Sequence, residues 1–81
     1  NYELWELEPG VSEGDHTHDT PKLAEIYHFL DGNGVITVDG EEVNVTKDDT
    51  VLVPPGIDHG VYNTDSTKTL RMLIIWGESK I

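Results

Sequence analysis

Turn-forming residues break this chain roughly every eight to twelve positions, and the runs between them are short and rich in β-branched and aromatic residues. Nowhere does a long stretch keep apolar residues at i, i+3, i+4 and i+7, so no helix is predicted. Strands are expected over 2–7, 25–30, 35–38, 42–45, 50–53, 59–63 and 70–76, with one more ending in the triplet His16-Thr17-His18. Pro9-Gly10, the stretch 31–34, Pro54-Pro55-Gly56 and the polar segment 64–68 supply turns. Asp39-Gly40 is the signal of a two-residue type I′ hairpin, because both of its positions tolerate positive φ. The class is all-β, and residues 1–81 read as one domain with no linker or internal repeat.

Two strands are apolar on both faces. The run Leu70-Arg71-Met72-Leu73-Ile74-Ile75-Trp76 has Arg71 as its one charge. In 25–30, Glu25, Tyr27 and Phe29 share one face and Ile26, His28 and Leu30 share the other, since side chains alternate along a strand. One face of each belongs to a core. The second face reads as a subunit interface, which predicts a homodimer. Tyr27 and Phe29 are assigned to the core, Trp5 and Trp76 to core or interface, and His28 to the interface or surface. Arg71 has two readings, a hold on a substrate carboxylate or an ordinary salt bridge.

Composition narrows the partners. Sixteen acidic against five basic residues give a net charge of −11, which repels nucleic acid, anionic lipid and other polyanions. A single arginine and four lysines equip the chain poorly to clamp a phosphorylated substrate. With no cysteine, neither a disulfide nor a thiolate ligand is available, so a chain of 81 residues must gain stability from a metal, from a second copy, or from both. No apolar run approaches the roughly 20 residues of a membrane span and no signal-like segment opens the sequence, so a cytoplasmic location is expected. Asn44-Val45-Thr46 matches a glycosylation sequon, a pattern short enough to arise by chance.

The histidines carry the chemistry. Residues i and i+2 of a strand share a face, so an extended His-Thr-His triplet aims two imidazoles at one point, as a metal ion requires. The full spacing is Gly10, five residues, His16, one residue, His18, six residues, Glu25, six residues, Gly32. Later come Pro54-Pro55-Gly56, two residues, His59, three residues, Asn63. This resembles the two motifs of the cupin superfamily, Gly-x5-His-x-His-x3–4-Glu-x6-Gly and Gly-x5-Pro-x-Gly-x2-His-x3-Asn, over nearly the whole chain. Two departures stand out: the gap from His18 to Glu25 is longer than the motif's, and Asp48 replaces the opening glycine of the second motif. Aspartate accepts turn geometry, so the second change should matter little.

The resemblance implies a small antiparallel jelly-roll β-barrel, a double-stranded β-helix, with a metal held inside. It carries over His16, His18, Glu25 and His59 as metal ligands, with His59, Val61 and Asn63 pointing inward. The ion is one divalent transition metal per chain; iron, manganese, zinc, nickel, cobalt and copper all suit three imidazoles and a carboxylate. Four protein ligands on an octahedral ion leave two positions for a small-molecule substrate or ligand. Three functions remain open: an oxygenase acting on a chelating molecule, an isomerase, epimerase or lyase acting on a sugar or hydroxy acid, and a non-catalytic binding module. Tyr27 is the candidate catalytic side chain beyond the ligands, and Tyr27, Val61 and Leu73 are expected to line the pocket.

Overall fold

The computed structural model describes residues 2–16 and 23–78, with side chains described for 2–12 and 24–77. Eight strands run along this part of the chain: β1 (Tyr2–Leu7), β2 (Ser12–His16), β3 (Leu23–Asp31), β4 (Asn33–Val38), β5 (Glu41–Thr46), β6 (Thr50–Val53), β7 (His59–Asn63) and β8 (Leu70–Glu78). They form two four-stranded sheets, ordered β1-β8-β3-β6 and β2-β7-β4-β5, and every pairing is antiparallel. Neighbours in each sheet are mostly distant in sequence, as a jelly roll requires. No helix is long and apolar enough to cross a membrane among the described residues.

The alternation read from the sequence decides what each sheet buries. From the first sheet, Leu7, Tyr27, Phe29, Val53, Leu70, Met72 and Ile74 point into the space between the sheets. From the second come Ile36, Val45 and Val61. Trp5, Val38, Val51, Ile57 and Trp76 close the margins of this core. Phe29 and Met72 are register partners on adjacent strands, and both are fully buried. One expectation fails here. Leu73 does not face the interior; it pairs in register with His28 and Leu4, while Met72 and Ile74 on either side of it are buried. Arg71 shares Leu73's parity and was the one available signal for the outward face; the other positions of the run are apolar on both parities.

Turn chemistry fixes the register. Asp39 and Gly40 both have positive φ, at 52° and 80°, and Val38 pairs with Glu41 across them, so the hairpin is the two-residue type the sequence signals. Asp48 has φ of 75°, the conformation the missing glycine would have taken with ease. The turn around it is tied to β3, with Asp48 N donating to Phe29 O at 2.8 Å and Phe29 N donating to Asp49 O at 2.9 Å. Gly32 is needed on two grounds: its φ is +91°, and a Cβ there would sit 2.7 Å from Thr69 O. Asn63, nearly buried, pins the far end of the barrel. Its Nδ2 donates to Leu7 O at 2.9 Å and Lys68 O at 2.8 Å, and its Oδ1 accepts from Asp65 N at 2.9 Å.

Candidate metal centre

Strand β3 delivers a carboxylate into the apolar interior. Glu25 shares the inward parity of Tyr27 and Phe29, and it is 6% exposed. A carboxylate so placed is costly unless its oxygens are met. One is met from its own strand: the Tyr27 hydroxyl, two positions on and therefore on the same face, donates to Glu25 Oε2 at 3.0 Å.

The opposite sheet delivers His59. Gly56 has φ of +76° directly after Pro55, the residue pair that suits a type II turn, and the chain then enters β7 with His59 as its first residue. His59 is 1% exposed. Its Nδ1 lies 2.9 Å from Ile57 O, an acceptor, so Nδ1 carries a proton and Nε2 presents the other ring position. That Nε2 lies 2.7 Å from Glu25 Oε2. The Tyr27 ring meets the His59 ring edge-on with centroids 5.8 Å apart.

Taken together, these contacts set an electrostatic condition. A neutral imidazole that donates through Nδ1 offers a lone pair at Nε2, and a carboxylate offers lone pairs only. Two such atoms at 2.7 Å in a buried site repel each other unless positive charge stands between them. A proton meets the condition, and so does a metal ion. The donation from Nδ1 to a main-chain carbonyl is also how a metal-binding histidine is held. Glu25 and His59 thus fit a divalent transition metal in chemistry and placement.

The other nominated ligands are placed less fully. His16 is the last residue of β2 and the register partner of His59, and a register shift between Glu13 and His16 sets that pairing. Bulges of this kind are common beside functional sites because they change which residue faces a partner. His18 lies outside the described residues, and among those that are described no group of three or more potential ligands forms. His28 faces away from Glu25 and contacts Thr50 Oγ1 through Nδ1 at 2.7 Å. Arg71 takes the second of its two readings, with Nε 3.5 Å from Glu6 Oε2 on the exposed surface. A cleft of about 300 Å³ is lined by Val38, Asp39, Glu41, Val43, Pro54 and Ile57, and none of Glu25, Tyr27 or His59 is part of its wall. Val38 is His59's register partner and Ile57 holds its ring. Sequence reasoning missed the Ile57 carbonyl and the Tyr27–Glu25 bond; the Glu-x-Tyr spacing on one strand face was the available signal for the latter.

The family profile for Cupin_2, the cupin domain, matches residues 3–76. The chain is a cupin. A curated oxalate-binding protein of Thermotoga maritima is 36% identical over 69 residues, which is 85% of this chain and 55% of that protein. A tetracenomycin polyketide synthase protein of Streptomyces glaucescens is 34% identical over 58 residues, 72% of this chain and 38% of that one. Among solved structures, a predicted oxalate decarboxylase of Thermotoga maritima superposes with a TM-score of 0.88 at 29% identity, covering 96% of this cupin and 65% of that chain. This cupin therefore spans roughly two fifths to two thirds of the length of these relatives.

Proposed function

We propose that this cupin holds one divalent transition metal ion with His16, His18, Glu25 and His59 and presents it to a small chelating molecule. The observation that carries the reading is the Glu25–His59 pair, two buried donors 2.7 Å apart that need positive charge between them. A bound metal supplies Lewis acidity and, if redox-active, one-electron chemistry toward oxygen. The chain's own residues prepare the site. Ile57 O orients the His59 ring, and the Tyr27 hydroxyl holds the Glu25 carboxylate ready to coordinate. Phe29 and Val61, both buried, exclude water from that end of the interior. Tyr27 reaches the pair from outside the ligand set, which makes it a candidate for moving a proton.

The ligand class follows from charge and size. The cleft of about 300 Å³ beyond Val38 and Ile57 has room for a small molecule, and Asp39 and Glu41 on its wall repel a free anion. A small acid or dicarbonyl is drawn in only if a cation receives its oxygens, two at a time. The relative named an oxalate-binding protein supports this class, since oxalate is a two-point chelator. Oxygenase-type chemistry on such a molecule is the reaction we favour. That same name also favours a second reading, binding without turnover.

Metal analysis after purification without added metal, followed by calorimetric titration of the chelator-treated protein, tests the proposal. One ion per chain is expected, with His59→Ala and His16→Ala falling to near zero while the β-rich spectrum persists. Unchanged metal content in either variant would overturn the ligand assignment. Oxygen uptake with iron(II) and a panel of 1,2-dicarbonyls and small diacids then separates turnover from binding alone.

A further inference from the structure

The cleft of about 300 Å³ is walled by the β4–β5 hairpin and by the 54–57 turn that follows β6. Strand β5 is an edge of one sheet and β6 an edge of the other. Alternation puts Glu41 and Val43 on one face of β5, in register with Val38 and the fully buried Ile36. Asp39 reaches the cleft from the hairpin turn, which is tied to the facing loop because Asp39 N donates to Asp58 O at 2.8 Å. Pro54 and Ile57 complete the wall. It therefore combines four apolar side chains with two carboxylates, and among the described residues that line it none is basic or aromatic. Val43 stays 43% exposed there, an apolar side chain left open beside two acids.

We propose that this cleft is a second binding site, for a small primary or secondary amine in its ammonium form with a short aliphatic body. The wall chemistry selects that class step by step. Two carboxylates with no basic neighbour in the wall reject anions and favour a cation. An inorganic divalent ion keeps its water shell and gains nothing from valine, proline and isoleucine, so the cation must carry apolar atoms of its own. A quaternary ammonium is best held by aromatic faces, which this wall lacks. An N–H-bearing ammonium instead donates to Asp39 and Glu41 in charge-assisted hydrogen bonds, while its aliphatic part covers Val38, Val43 and Ile57. The volume lies at the small end of ordinary ligand sites, about 300–1,000 Å³, which suits a short chain. Neither Glu25 nor His59 is part of this wall, so the inference stands whether or not the interior holds a metal.

Amide and methyl NMR shifts of chelator-treated protein, titrated with isopentylammonium chloride to about 50 mM, test it. Saturable shifts are expected at Val38, Val43 and Ile57. Isopentanol, the neutral isostere, should bind roughly tenfold more weakly or less, since it forfeits the charge-assisted bonds, and isovalerate should not bind. Glu41→Gln should weaken the amine roughly tenfold. Glu42→Gln removes the same charge from the opposite face of β5, where Glu42 pairs in register with Thr37, and should leave affinity unchanged. That comparison separates the cleft from the general attraction of a chain of charge −11. Val43→Lys, a change at an exposed position, places the protein's own ammonium at the wall and should abolish binding. The proposal is overturned by the absence of saturable shifts at these three residues or by isopentanol or isovalerate binding as tightly as the amine. Equal weakening in Glu41→Gln and Glu42→Gln, or undiminished binding to Val43→Lys, overturns it as well.

Discussion

Removing one oxygen atom tests the buried constellation most directly. Tyr27→Phe keeps the ring that packs in the core and against His59, and deletes only the hydroxyl that donates to Glu25 Oε2 at 3.0 Å. Both residues are at least nine-tenths buried, so water cannot replace the lost donor. A hydrogen bond to a charged acceptor contributes about 1.5–3 kcal/mol net, and stranding that acceptor costs a similar amount. For a chain of 81 residues the unfolding entropy is near 0.17 kcal/mol/K, from about 2.1 cal/mol/K per residue, so a 2 kcal/mol loss lowers Tm by roughly 12 °C. The assay is thermal unfolding of chelator-treated protein at one fixed concentration. Circular dichroism and the fluorescence of Trp5 and Trp76, both packed against the core, report it. In a Glu25→Gln background the same substitution should cost at least about 1 kcal/mol less, because the charged acceptor is gone. Metal affinity should fall roughly tenfold or more in Tyr27→Phe, since the carboxylate is no longer held. A Tm within about 2 °C of wild type, or an equal cost in both backgrounds, would refute the idea that the hydroxyl holds Glu25.

Three further outcomes follow from other parts of the barrel. Gly32→Ala must keep a φ of +91° while placing a methyl 2.7 Å from Thr69 O, so urea unfolding should register a loss of about 2–4 kcal/mol. Asn63→Ala removes the amide that two main-chain carbonyls and one N–H share at the end of β7, and should cost about 2–4 kcal/mol in the same measurement. The Asp65 carboxylate is held below its usual value of 3.8 by the main-chain N–H groups of Thr67 and Lys68, then by the Thr67 hydroxyl and Asn33. A depressed carboxylate stabilises above its unfolded value and loses that contribution as pH falls through the folded one. The Tm difference between wild type and Asp65→Ala should therefore be constant near neutrality and shrink below about pH 3.8.

Much of the fold was legible because two local signals agreed. Alternation placed Glu25, Tyr27 and Phe29 on one face of β3, and turn residues bounded β1, β6 and β7 at the observed positions. Where the signals conflicted or were silent, reading stopped short. Apart from Arg71 the run 70–76 is apolar on both parities, and that single charge, on Leu73's own face, was the signal that Met72 and Ile74 take the inner side. The register shift that sets His16 opposite His59 depends on cross-strand hydrogen bonding between segments more than forty residues apart, which composition does not encode. The same holds for the Ile57 carbonyl: any residue could supply it, so its identity says nothing about its role. Of the four nominated ligands, Glu25 and His59 meet directly, His16 is matched by register, and His18 falls outside the described residues.

Strand β3 explains how a chain this short combines a polar interior site with an unusually apolar exterior. It is an inner strand of its sheet, paired with β8 on one side and β6 on the other. Its odd positions, Glu25, Tyr27 and Phe29, belong to the interior, while Ile26 and His28 belong to the outer face. Burying a carboxylate opposes folding, and the apolar side chains buried on the same strand, Tyr27 and Phe29, offset part of that cost. A substitution at Ile26 should affect the inner pair only through strand position, whereas one at Glu25 or Tyr27 should leave the outer face in register. Metal affinity near the wild-type value in Ile26→Ala, beside a fall in Tyr27→Phe, is the expected result, and an equal fall in both would refute the division of this strand into two faces.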